Sequence, residues 1–256
     1  SDLAFVLLTI ALLLSILLKF KISNLNLIIL GFLLAIMYMT NAWDGLIYFG
    51  LSVLVFLYVF YQNYWPKLYP LIRKFVNSLI LLIALFLLFS LPFQLTFKPF
   101  VSGIGISRDH SPIWMLLVLW GFFYYCVLGF AVYLRKQKGL SKPDVFVLLI
   151  ILLSTALLVF PEFFYFKDIY PQHYRANTMF KLGYQAFIML SLASGYIIAR
   201  LFGKRHSGEP ERRLQNRFWT SQNDGKGIAI LTLIYKIFLL LFLFLVLIYP
   251  YFSINS

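Results

Sequence analysis

Charged side chains are scarce in this 256-residue sequence, because Asp, Glu, Lys and Arg make up only 12% of it. A soluble globular domain carries roughly 25% charged residues. So few charges cannot cover a water-exposed surface of this size, which argues against a soluble enzyme. The hydrophobic share of 62% also argues against a disordered chain. The composition is that of an integral membrane protein.

Cysteine is nearly absent as well. The single Cys126 lies in an apolar run, so neither a disulfide framework nor a cysteine metal site can form within this chain. We interpret it as a small hydrophobic residue of a helix. No basic segment precedes the first apolar run, which is therefore not a signal peptide. No internal repeat is visible, and an inverted-repeat transporter has no support from the sequence.

Long apolar runs are what the sequence has in abundance. About 20 apolar residues in a helix cross a bilayer, and continuous runs favour helices over the alternating strands of a barrel. We predict an all-α, polytopic transmembrane helix bundle of about eight spans in a single transmembrane domain. The predicted spans are residues 3–18, 25–39, 45–61, 75–93, 113–134, 145–160, 178–202 and 228–249. The segments 40–44, 94–112 and 161–177 are predicted outer loops, and 203–227 is a predicted cytoplasmic loop.

Positive charge is distributed unevenly over the connections. The net charge is +13, which in a soluble protein would point to nucleic acid. Here the odd-numbered connections between spans hold 16 Lys and Arg residues, and the even-numbered ones hold five. The positive-inside rule then places the odd connections in the cytoplasm and both chain ends outside the plasma membrane. The expected partner is the lipid bilayer, and no nucleic acid is expected.

The first two outer segments contain candidate binding residues. Asp44 lies near the membrane boundary, where it is either a ligand for a sugar hydroxyl, a metal or a basic side chain, or the N-cap of the next helix. In the second loop, Gly103 and Gly105 permit close backbone approach, and with Ser102 and Arg108 they form either a phosphate cradle or a tight turn.

The third outer segment leads into the seventh span and is the most informative. Asn177, Lys181 and Gln185 are spaced by four and form one stripe on a helix. A Lys near a helix N-terminus opposes the helix dipole, and a bound anion would relieve this. With Arg175 just before the helix, the pattern predicts a phosphate site. The alternative is that Lys181 extends to the interface and Gln185 bonds to a neighbouring helix.

The three outer segments contain four motifs in order along the chain: Asn41-x-Trp43-Asp44, Leu91-Pro92-Phe93 with Val101-Ser102-Gly103-Ile104-Gly105, Pro161-Glu162 with Asp168, and Arg175-x-Asn177-Thr178-x-Phe180-Lys181-x-x-x-Gln185-Ala186. These motifs resemble those of the YYY membrane protein family of archaea and Chloroflexi-type bacteria. This family is grouped with the C-type glycosyltransferases. The resemblance implies a multi-span enzyme that takes a sugar from a polyprenyl-phosphate donor on the outer face.

On this hypothesis Arg175 and Lys181 bind the donor phosphate, with Arg108 assisting. The acids Asp44, Glu162 and Asp168 are the catalytic candidates and would contact the sugar, a metal or the basic pair. The resemblance implies that the catalytic base lies upstream and that this chain is an internal or C-terminal fragment, inactive alone. No cofactor is identified, and a divalent cation stays an open alternative. The competing functions are a transporter or flippase for a lipid-linked or anionic solute, and a non-catalytic scaffold.

Overall fold

Helices dominate the structure, a computed structural model that describes residues 2–97, 103–167, 173–202 and 233–241. The elements are helices α1 (Leu3–Lys19), α2 (Asn24–Thr40), α3 (Ala42–Tyr64), α4 (Leu68–Gln94), α5 (Ile113–Arg135), α6 (Lys142–Phe163) and α7 (Ala176–Phe202), and strands β1 (Gly103–Ile106) and β2 (Phe164–Lys167). Residues 233–241 are also helical. Each of the first seven predicted spans therefore corresponds to a helix, and the predicted all-α membrane bundle is confirmed.

The surface of the helices is apolar, as a lipid environment requires. Among the described helices, α3, α4, α5, α6 and α7 are long and apolar enough to cross a membrane, while α1 and α2 are apolar but shorter. On α4 only 11% of the most apolar 18-residue stretch is buried inside the protein. Ile80 and Leu88 are about 60% exposed. Large apolar side chains left outside the packed core are stabilised by lipid contact.

The described residues form two compact units, one within 1–110 and 141–190 and the other within 111–140 and 191–256. In the first unit, α2 packs against α1, α3 and α4, and α6 packs against α1 and α3. Gly31 explains the close packing of α2 on α4, because a Cβ atom there would lie 2.8 Å from Leu85 Cβ. In the second unit, Tyr125 of α5 stacks on Tyr235 with ring centroids 4.7 Å apart.

Local sequence signals account for where the helices begin. The Ser23 hydroxyl accepts a hydrogen bond from the Asn26 backbone at 3.2 Å and caps α2. Before α6, Ser141 and Asp144 form a capping box in which each side chain bonds to the other's backbone N–H.

The first unit has two chemically different ends. At one end, Lys142 Nζ donates to the Leu18 carbonyl at 2.7 Å, and Asn63 Nδ2 donates to the Phe20 carbonyl at 2.9 Å. We call this the basic end, since it holds the first and third connections and the start of α6. The other is the hairpin end, formed by the turn at Asn41, strands β1 and β2, and the start of α7. The predicted alternation of the connections between the two sides of the membrane accounts for these two different ends.

Candidate functional site

A two-stranded antiparallel sheet, which we call the hairpin although α5 and α6 separate its strands along the chain, covers the hairpin end. Strands β1 and β2 pair antiparallel with Gly105 opposite Tyr165, and the Ser107 N–H extends the ladder to the Phe163 carbonyl at 2.9 Å. Both strands lie within segments that the sequence predicted to be loops. Gly103 has a φ of 144°, which favours glycine, and Gly105 lies against the ring of Tyr165, where a Cβ atom would clash. The hairpin itself therefore explains both glycines.

Two contacts attach this hairpin to the helices. The Phe166 N–H donates to Thr178 Oγ1 at 3.1 Å, and the rings of Trp43 and Phe166 lie 4.2 Å apart at their centroids. Helix α7 begins at Ala176, two residues before the predicted start of the span. Thr178 is consequently inside the first turn, where its buried hydroxyl holds β2 instead of capping the helix. Trp43, predicted as a loop-motif residue, is thus part of the packing below the hairpin.

Arg175 and Glu162 form an ion pair immediately before α7. Arg175 Nη1 lies 3.2 Å from Glu162 Oε2, and the two side chains are only 16% and 14% exposed. The same Nη1 atom donates to the Asp109 carbonyl at 2.7 Å. A predicted phosphate ligand and a predicted catalytic acid therefore neutralise each other in this structure. The pair also joins the end of α6, the loop after β1 and the start of α7.

Asp109 strengthens the same junction through its side chain. Tyr174 donates its hydroxyl proton to Asp109 Oδ2 at 2.6 Å, and Ser107 Oγ donates to the Asp109 carbonyl at 2.8 Å. His110 Nδ1 lies 4.0 Å from Glu162 Oε2, but its side chain is 61% exposed. No pattern in the sequence indicates the role of Tyr174, since its partner lies 65 positions away along the chain.

Lys181 and Arg108 are predicted phosphate ligands whose positive charges have no ion-pair partner among the described residues. No hydrogen bond or ion pair joins either side chain to the described part of the chain. Arg108 is exposed and Lys181 is half-buried, as is Asn177 one turn earlier on α7. These two cations are therefore available to an anion at the hairpin end.

Gln185 and Asp44 lie deeper, below the hairpin. Each is only 1% exposed. Gln185 Oε1 accepts a hydrogen bond from the Tyr48 hydroxyl at 2.9 Å, while its Nε2 atom and both Asp44 carboxylate oxygens have no hydrogen-bond partner among the described residues. Asp44 is the third residue of α3, whose N-cap is Asn41. The alternative of Asp44 as an N-cap is therefore wrong, because the helix begins before it.

Among the described residues, the polar groups in contact with the Asp44 carboxyl group are the Asn41 and Gln185 carboxamides and the Asp2 carboxyl group. None of them meets the geometry of a hydrogen bond to it. Within the described residues no group of three or more His, Cys, Asp and Glu side chains is placed to hold a metal ion. Two further predicted site residues, Asp168 and Ser102, lie outside the described residues.

The sequence profile of one family of membrane proteins, described as uncharacterized membrane protein (DUF2298), matches residues 2–143 and 127–190. The chain belongs to the DUF2298 family. This confirms the prediction of a membrane protein. No curated protein and no solved structure matches the chain.

The DUF2298 match contains every residue of the junction described above. It includes the ion pair of Arg175 with Glu162, the cation Lys181, and the buried pair of Asp44 and Gln185. These site residues thus lie within the matched part of the chain, and all of them belong to the first unit of the structure. Tyr48, which orients Gln185, was not predicted. The signal available for it was its position one helical turn after Asp44 on the buried face of α3.

Proposed function

We propose that this chain supplies the donor-binding part of a membrane glycosyltransferase, which transfers a sugar from a polyprenyl-phosphate donor on the extracytoplasmic face. The proposal rests on the resemblance of the outer segments to the YYY family and on the chemistry of the hairpin end. A lipid-linked donor has an anionic phosphate at the membrane surface and a sugar attached to it. The hairpin end has cations for binding the phosphate, and it has buried polar groups beside them.

The sidedness of the proposal follows from the charges. The connections at the basic end are odd-numbered, and the odd-numbered connections together hold 16 Lys and Arg residues against five in the even-numbered ones. The positive-inside rule assigns the odd-numbered connections to the cytoplasm. The hairpin end then faces outwards across the plasma membrane, and the same rule predicts that both ends of the chain lie outside. Lipid-linked sugar donors that act outside the cell are presented on that side.

The arrangement at the start of α7 is the observation that carries the proposal. Helix N–H groups without intrahelical partners favour an anion there, and Lys181 lies on the second turn without an anionic partner among the described residues. Arg175 is held just before the helix by Glu162 and the Asp109 carbonyl. A bound phosphate would contact Arg175, which also pairs with Glu162, and it would be the only anion in contact with Lys181 and Arg108.

The reaction needs an acid–base group and a stabilised leaving group. The acceptor oxygen forms a bond to the anomeric carbon of the sugar, the bond from that carbon to the phosphate oxygen breaks, and the polyprenyl phosphate leaves with the electron pair. A carboxylate takes the acceptor proton, and the cations stabilise the phosphate charge. Glu162, Asp168 and Asp44 are candidates for contacting the sugar or a divalent cation.

Binding of polyprenyl phosphate by the full-length protein tests the proposal. Lys181→Met removes one charge-assisted contact to phosphate, a class of contact worth about 1.5–3 kcal/mol, so we expect binding to weaken by about tenfold or more. Lys21→Met removes the same charge from an exposed residue of the basic end and should leave binding unchanged. If Lys181→Met and Arg175→Ala both bind as tightly as the wild type, the phosphate assignment is wrong.

A further inference from the structure

Two buried polar side chains below the hairpin lack hydrogen-bond partners. One of them accepts hydrogen bonds and the other donates them. Asp44 presents two carboxylate oxygens, which accept hydrogen bonds, and Gln185 presents the Nε2 amide group, which donates them. Both side chains are 1% exposed, and Gln185 faces the Asp44 carboxyl group. Buried polar groups are normally hydrogen-bonded, because leaving them unpaired is costly. Asp44 and Gln185 do not meet the geometry of a hydrogen bond to each other, so one ligand atom that donates to the carboxylate and accepts from the amide would satisfy both.

The orientation of the Gln185 amide is set by Tyr48. The Tyr48 hydroxyl donates to Gln185 Oε1 at 2.9 Å, which uses the oxygen of the amide and leaves the NH₂ group for the other side. A metal cation at that place would meet the positive end of the N–H bonds rather than an oxygen ligand. A basic side chain is not among the polar groups that face Asp44. A hydroxyl group satisfies both sides, since it donates to Asp44 and accepts from Gln185.

We propose that Asp44 and Gln185 form a hydroxyl-recognition subsite, which binds the sugar ring of a lipid-linked donor. This rests on the proposed function, and it moves Gln185 from the phosphate ligands to the sugar ligands. The Asp2 carboxyl group, whose Oδ2 atom is likewise buried without a partner, offers a second acceptor to a neighbouring hydroxyl of the ring. Tyr48 is a positioning residue, because it acts only through the amide of Gln185.

The separation of the two subsites fits a sugar phosphate. Lys181 and Gln185 lie four residues apart on α7, which corresponds to a rise of about 6 Å along the helix axis. A sugar ring joined to a phosphate through its anomeric oxygen spans a similar length. A phosphate at Lys181 therefore leaves the ring beside Gln185, one helical turn deeper in the first unit.

The test compares ligands with and without the sugar on the full-length protein in detergent. The probes are farnesyl phosphate and farnesyl phosphates linked to glucose, galactose, mannose or arabinose, and the measurement is the Kd of each. We expect the wild type to prefer at least one sugar-linked probe by about tenfold. Asp44→Asn and Gln185→Met should remove most of this preference, while the Kd for farnesyl phosphate stays within about twofold.

Two further variants control for folding and for position. Ser52→Ala alters another buried polar residue of α3, whose hydroxyl donates to the Tyr48 carbonyl of its own helix, and should keep the full preference. Tyr48→Phe leaves both ligand groups in place but frees the amide, so we expect an intermediate loss of about threefold. It also replaces Asp44→Asn as the decisive variant if that protein does not fold, as judged by gel filtration and farnesyl phosphate binding.

The outcomes separate the two proposals. If the wild type binds farnesyl phosphate but shows no preference for any sugar, or if both variants keep the preference, the subsite is wrong and a buried water is the better occupant. A preference that disappears in EDTA and returns with Mg²⁺ also overturns it, because the carboxylates then hold a cation. If the wild type binds none of the probes, the proposed function fails first.

Discussion

Thr178 and Phe166 connect helix α7 to the hairpin, since the Phe166 backbone N–H donates a hydrogen bond to the Thr178 hydroxyl oxygen at 3.1 Å. The two residues belong to different elements, and Thr178 is only 3% exposed. This hydrogen bond thus holds β2 at a defined position relative to the start of α7. The residues that we propose as phosphate ligands flank this bond in the sequence, with Arg175 before Thr178 and Lys181 after it.

Replacement of Thr178 by Val should loosen the hairpin without unfolding the bundle. Val has almost the same shape but no hydroxyl, so the Phe166 N–H loses its partner at a cost of about 1–3 kcal/mol. We expect faster hydrogen exchange at the Phe166 amide, with the Tm of the whole protein little changed. Thr155→Val is the matched control, because the Thr155 hydroxyl donates to the Ile151 carbonyl within α6. Unchanged exchange at Phe166 would contradict this account of the hairpin.

The ion pair of Arg175 and Glu162 predicts an energetic coupling between these residues. Both side chains are largely but not fully buried, so the pair lies between exposed pairs worth 0–1 kcal/mol and buried ones, whose disruption costs about 3–5 kcal/mol. We expect Glu162→Gln to destabilise the protein by about 1–2 kcal/mol. In a double-mutant cycle with Arg175→Met, the second substitution should cost less once the first is present. Strictly additive losses would mean that the pair contributes nothing.

The helices could be predicted from the sequence because membrane spans impose a length on apolar runs. The runs ending near Lys19, Thr40 and Arg135 show this, since the structure ends α1, α2 and α5 at those residues. The hairpin could not be predicted in the same way. Its strands have four residues each and pair Gly103 with Lys167, so neither strand carries a periodic signal of its own.

In the candidate site, too, local features could be predicted from the sequence, whereas contacts between distant residues could not. The helical stripe of Lys181 and Gln185 follows from spacing alone, and the structure places both on α7. The partner of Gln185 is 137 positions away along the chain, and no sequence pattern links Tyr48 to it. Spacing therefore identified the residues, whereas the difference in their environments, half-buried for Lys181 and fully buried for Gln185, depends on tertiary packing.

Close packing of α2 on α4 predicts a strong effect of a single methyl group. In Gly31→Ala the new Cβ atom would lie 2.8 Å from Leu85 Cβ, so the helices must separate, and overpacking of this kind costs about 1–3 kcal/mol. Gly121→Ala adds the same group to α5 where no described atom outside the surrounding helix backbone lies within 4 Å, and it should be neutral or slightly stabilising. Thermal unfolding in detergent measures both, and equal Tm values for the two variants would refute the packing argument.

The sidedness of the bundle can be measured by labelling of single cysteines on intact cells. Within this chain a cysteine-free background takes one substitution, Cys126→Ala. His110→Cys then places a thiol at the hairpin end, where the side chain is 61% exposed, and Lys21→Cys places one at an exposed position of the basic end. Because the proposed function needs the hairpin end outside, a membrane-impermeant maleimide should label the first variant and react with the second only after permeabilisation. The reverse pattern would place the basic end outside, and a donor site on the extracytoplasmic face would then be wrong.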